Sequence, residues 1–88
     1  MNTFHGTYEV SLDDVGLAYS LARSVCTQVA SRTVGEWPLA VNGRVLSGEG
    51  GCEIDAWGTA TQLDELVAKL NAATVPFKER RLPYRPQR

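Results

Sequence analysis

The chain has 88 residues, is 43% hydrophobic and 22% charged, and carries a formal net charge of −1. These values fit one small domain and exclude a disordered chain, and two cysteines are too few for a disulfide-built scaffold. The apolar runs are too short to span a bilayer, and Met-Asn-Thr-Phe-His has no basic stretch leading into an apolar one, so neither a membrane helix nor a signal peptide is expected. The expected location is the cytoplasm, with Cys26 and Cys52 as buried thiols.

Thr3 to Val10 alternates with period two. Phe4, Gly6, Tyr8 and Val10 share one face, and Thr3, His5, Thr7 and Glu9 share the other, which predicts a half-buried strand. Gly6 marks either a weak point or a close approach by another element. Ser11 is placed to cap a following helix, with Asp14 three residues on as in a capping box. Val15, Ala18, Tyr19, Ala22, Val25, Cys26, Val29 and Ala30 then recur at spacings of three and four. They predict one helix ending near Ser31 to Gly35, its apolar stripe broadened by Leu17 and Leu21.

Trp37, Leu39 and Val41 alternate again and lead into Asn42-Gly43, the dipeptide best suited to a two-residue hairpin turn. The preferred reading pairs a strand at 36–41 with one at 44–47. A rival reading makes 36–46 one strand and moves the turn to 47–51. Cys52, Ile54 and Ala56 alternate with Glu53, Asp55 and Trp57 in another strand, ended by Gly58. Thr59-Ala60-Thr61-Gln62 reads as a capping box, and Leu63, Leu66, Val67 and Leu70 give the stripe of a second helix ending near Ala73. Val75, Phe77 and Leu82 offer one more short strand, but Pro76, Pro83 and Pro86 make it a poor central one.

The fold class expected is α+β: an antiparallel sheet of three to five strands with two helices on one face, in the order β-α-β-β-(β)-α-(β), ferredoxin-like or a variant. Residues 1–77 are expected to form the domain. Residues 78–88 are expected to form a basic, proline-containing C-terminal tail. That segment holds five basic residues and one acid, whereas 1–77 hold four basic residues and nine acids.

Catalytic chemistry finds little support in the residues. His5 is the only histidine and has no evident partner. Cys26 and Cys52 are not in a metal-binding spacing. Glu53 and Asp55 lie about 7 Å apart on one strand face, a spacing that resembles a pair of catalytic carboxylates, but so small a domain rarely has the deep sugar cleft such a pair needs. Gly48-Glu49-Gly50-Gly51 lacks the Lys-Ser/Thr of a phosphate loop. Val41-Asn42-Gly43-Arg44 followed by Gly48-Glu49-Gly50 resembles the hairpin of double-stranded-RNA-binding domains. The lysine pair that opens that family's second helix is absent, since Thr59 to Asp64 stand there, so its function does not carry over.

No catalytic residue, metal or cofactor is therefore expected. The expected function is a small non-enzymatic interaction module: an adaptor, regulator or inhibitor of a larger protein complex, with acidic mimicry of nucleic acid by a phage-type inhibitor as one form. Trp57 beside Glu53 and Asp55 marks one contact patch, and Arg80, Arg81, Tyr84 and Arg85 in the tail mark another. The near-zero net charge is compatible with a homodimer. The alternative is nucleic-acid binding through the arginine-rich tail. A small oligomeric enzyme ranks last.

Overall fold

The computed structural model describes residues 2–34, 39–41, 44–46 and 51–84, of which 33, 34, 39–41 and 44–46 by backbone alone. In chain order the elements are β1 (Thr3–Ser11), α1 (Val15–Val25), β2 (Gln28–Val34), β3 (Leu39–Val41), β4 (Arg44–Leu46), β5 (Gly51–Gly58), α2 (Ala60–Ala72) and β6 (Lys78–Tyr84). Four strands form an antiparallel sheet in the order β2-β5-β1-β6, and β3 pairs with β4 in a separate hairpin. This is the ferredoxin-like β-α-β-β-α-β arrangement, with a hairpin inserted between its second and third sheet strands.

The core lies between the sheet and the helices. Tyr8 and Val10 of β1 and Cys52, Ile54 and Ala56 of β5 point inward and are buried. They meet Ala18 and Ala22 of α1 and Leu63, Leu66 and Leu70 of α2. The alternation read in β1 and β5 is thus the inside–outside alternation of the two central strands. Alanines on α1 let it lie close, while leucines on α2 fill the space it leaves.

Three expectations change. First, α1 stops at Val25, and Cys26 is already extended (φ −112°, ψ 146°). The rest of the expected helix is β2, paired to β5 with Val29 opposite Ala56 and Arg32 opposite Glu53. Val29 and Ala30 fit the helical spacing, but Thr27, Val29, Thr33 and Val34 are β-branched, and β5 offers them a ladder. Second, Ser11 belongs to β1 and does not cap α1. Its hydroxyl donates to Asp14 Oδ2 across the turn (3.0 Å), and Asp14 stands at the N-cap without a side-chain capping bond.

Third, Lys78–Tyr84 is not a tail: it is β6, paired along β1 with Thr7 opposite Arg80 and Tyr8 opposite Glu79. As an edge strand it tolerates Pro83 near its end. Only 85–88 remain of the expected tail, and they lie outside the described residues.

Other features match their local signals. The pairing of Val41 with Arg44 brackets Asn42-Gly43 as the preferred reading requires. The turn residues themselves, Trp37 and the rival turn at 47–50 lie outside the described residues. Thr59 Oγ1 accepts from Gln62 N (3.1 Å) and Gln62 Oε1 accepts from Thr59 N (2.9 Å), completing the capping box. At the other end of α2, Val75 N donates to Leu70 O and Thr74 N to Asn71 O, a Schellman closure in which Thr74 takes φ 59°.

A polar clasp fastens β6 on the helix side. Tyr8 donates its hydroxyl to Glu79 Oε2 (2.8 Å). Arg81 reaches the same oxygen through Nη2 (2.7 Å) and reaches Asp64 of α2 through Nη1 (2.9 Å). The Tyr8 ring lies over Gly6, where a Cβ would stand 2.7 Å from its hydroxyl oxygen. Burial, then the hydrogen bond to Glu79, push the Tyr8 phenol well above its ordinary range.

Candidate binding face

Both helices pack on one side of the sheet. The register fixes what the other side carries, in rows across β2, β5, β1 and β6. One row is Gln28, Trp57, His5 and Leu82. The next is Ala30, Asp55, Thr7 and Arg80. The third is Arg32, Glu53, Glu9 and Lys78. Tyr84 follows beside Thr3 at the aromatic end.

The middle of this face is a polar cluster built on Asp55. Asp55 Oδ1 lies 2.8 Å from His5 Nε2 and accepts from Thr7 Oγ1 at 3.2 Å. Arg32 Nε donates to Glu53 Oε1 (2.9 Å) and stands 3.8 Å from Asp55 Oδ2. Asp55 and Thr7 are buried, although neither helix reaches them. A buried carboxylate persists because its oxygens are partnered, here by His5, Thr7 and Arg32.

The aromatic end is built on Trp57. His5 stacks on it nearly parallel, with ring centroids 4.6 Å apart, and Tyr84 meets it edge-on at 6.3 Å. Leu82 and Tyr84, on the adjoining edge strand, are 56% and 39% exposed. Trp57 Nε1 is buried and has no hydrogen-bond partner among the described residues.

The expected contact residues divide as follows. Glu53, Asp55 and Trp57 do share one face, and Arg80 and Tyr84 of β6 join them there. Arg81 does not: it sits on the opposite face, held by Glu79 and Asp64. Arg85 lies outside the described residues. Among the described residues the face is also not acidic. Glu9, Glu53 and Asp55 occupy the two central strands, with Arg32 on one flank and Lys78 and Arg80 on the other, so the described charges cancel. His5, Thr7, Arg32 and Leu82 were missing from the expected patch. The signal for His5 and Thr7 was available, since the alternation of β1 puts them on its polar face.

The two cysteines are free and buried in the core, and burial, then Glu65, raises the thiol pKa of Cys26. Among the described residues no group of three or more His, Cys, Asp or Glu is placed to hold a metal ion. Among them, too, no helix is long and apolar enough to cross a membrane.

No protein-family model matches this sequence, and no curated protein matches it either. Solved structures do. CutA from Synechococcus elongatus PCC7942 superposes with a TM-score of 0.67 at 15% identity, covering 94% of this chain and 77% of CutA. CPII from Thiomonas intermedia K12, bound to ADP and bicarbonate, superposes with a TM-score of 0.63 at 10% identity, covering 96% of this chain and 89% of CPII. At these identities the likeness is one of fold.

Proposed function

We propose that this protein is a small non-enzymatic interaction module, a regulator or adaptor, whose open sheet face is its contact surface for another protein. One observation carries this reading: Trp57, His5, Leu82 and Tyr84 gather at one end of the face that neither helix covers, with Leu82 and Tyr84 exposed. Aromatic and aliphatic groups beside ordered charges are the composition of a protein contact: apolar residues supply burial, and the charges select partner and register. The fold-level likeness to CutA and to CPII agrees with a small protein of this kind without assigning a ligand.

The first partner to test is a second copy of the chain. A face with acids in the middle strands and bases on both flanks complements itself when two copies are offset, and a net charge of −1 gives little repulsion between them. The alternative of nucleic-acid binding has less support. It needs a free arginine-rich tail, whereas Lys78–Tyr84 is paired along β1, Arg81 is held by Glu79 and Asp64, and Lys78 lies opposite Glu9.

Sedimentation of the full chain from about 1 to 100 µM, with pull-down from cell extract, tests the proposal. Replacing Leu82 and Tyr84 with serine leaves the buried core untouched and should abolish whatever association the native chain shows. Association that survives that double change, or substrate turnover lost on replacing His5, would refute it.

A further inference from the structure

On the helix side, away from the binding face, α2 ends and β6 begins around a cavity of about 310 Å³ lined by Asn71, Val75, Phe77 and Glu79. Its chemistry is rich in acceptors. Glu79 Oε2 takes three donors, from Tyr8 and from two nitrogens of Arg81, whereas Oε1 takes none among the described residues. Asn71 brings a carboxamide, and Phe77 brings an aromatic ring already tilted against Tyr8 at 6.0 Å. The carbonyl end of α2 closes here at Ala73 and adds the negative pole of its dipole. Arg81 only partly offsets Glu79, because Asp64 draws on the same guanidinium at 2.9 Å.

We propose that this cavity is a site for a primary ammonium group, supplied by a small free amine or by a lysine side chain of a partner protein. An ammonium has three N–H donors and no acceptor, which matches a free carboxylate oxygen and a carboxamide oxygen, and the ring adds attraction for a compact cation. An anion of the same size meets the Glu79 carboxylate. Arg81 already shows that this carboxylate receives a cation from its other side. The site is independent of the open face, so neither proposal falls with the other.

The test is an amide-detected NMR titration of the full chain with n-butylammonium, against sodium butyrate and n-butanol at matched ionic strength. Butylammonium should give saturable shifts at the Asn71 side chain and the Val75, Phe77 and Glu79 amides, with about millimolar affinity for so small a probe. Butyrate and butanol should not. A short acetylated peptide with one lysine separates the sources: tighter binding than butylammonium identifies a protein lysine, equal binding a free amine. Glu79→Gln should weaken binding about tenfold, the loss of one charge-assisted hydrogen bond. Because that change also loosens the clasp, Asn71→Ala is the second variant, and it too should weaken binding. Shifts that do not saturate, equal shifts with butanol, or binding kept by both variants would overturn the proposal.

Discussion

Gly6→Ala tests how β1, β6 and α2 are held together. A Cβ at Gly6 would stand 2.7 Å from the Tyr8 hydroxyl, 2.8 Å from Cε2 and 3.0 Å from Cζ. The ring cannot step aside freely, because Tyr8 is 1% exposed and its hydroxyl is bonded to Glu79. Overpacking of this kind costs about 1–3 kcal/mol, and losing a hydrogen bond to a charged acceptor costs about 1.5–3. Alanine restricts the unfolded chain and returns about 0.5–1 kcal/mol. The expected net loss is about 1.5–5.5 kcal/mol, read as a lower urea midpoint at unchanged slope. In a Tyr8→Val background the obstructing ring is gone, so Gly6→Ala should be neutral or mildly stabilising there. A loss below about 0.5 kcal/mol in the native background, or the same loss in both backgrounds, would refute the argument that Gly6 exists to seat the Tyr8 ring.

Thr74 sits at φ 59°, where a β-branched residue is strained, so Thr74→Gly should stabilise by about 0.5–1 kcal/mol in the same urea assay. The Tyr8 phenol stays neutral in the fold beyond the pH at which the unfolded chain ionises. The unfolded state therefore binds fewer protons above about pH 10, and stability should fall there by about 1.4 kcal/mol per unit. Tyr8→Phe should remove that slope, as alkaline denaturation curves will show. Asp55→Ala leaves His5 and Thr7 without their acceptor and should cost about 1–3 kcal/mol, whereas Asp64→Asn, at an exposed position, should cost less than about 0.5. Because both cysteines are buried, a thiol reagent at neutral pH should label the native protein slowly and both thiols promptly in denaturant.

Elements with a local cause were legible in the sequence. The alternation in β1 and β5, the hairpin bracketing Asn42-Gly43 and the Thr59–Gln62 box each rest on residues within a few positions of one another. β2 was not legible, because Val29 and Ala30 continue the helical spacing of the residues before them and only the ladder of β5 overrides it. β6 was legible in part: Val75, Phe77 and Leu82 offered a short last strand, but its course over Lys78–Tyr84, with Pro83 inside it, depends on the edge that β1 offers. The candidate face was half legible. Period two grouped Glu53, Asp55 and Trp57, but the His5–Asp55 bond links residues 50 positions apart and follows only from the β1–β5 register. The sequence alone does not distinguish Arg80 from Arg81. Adjacent residues on a strand point to opposite faces, so only one can serve a given surface.

The position of β6 decides how the charges of this chain combine. Along the sequence an acidic body precedes a basic end, a pattern that invites a partner of opposite sign for each half. Folding removes that separation. β6 is laid against β1, so Lys78 lies opposite Glu9 and Arg80 opposite Thr7, next to Asp55, while Arg81 is carried to the other side and joined to Asp64 of α2. The opposite edge does the same, with Arg32 of β2 across Glu53. Opposite charges interleaved at strand spacing largely cancel at a distance in salt water and give little long-range steering. They still penalise a misplaced partner, since a sideways shift of one strand sets carboxylate against carboxylate. On the proposed reading of this face, affinity comes from Trp57, Leu82 and Tyr84, with the charged side chains setting orientation. Binding should therefore weaken far more on truncating those three side chains than on raising salt from about 0.1 to 0.5 M, and the opposite ranking would place the contact elsewhere.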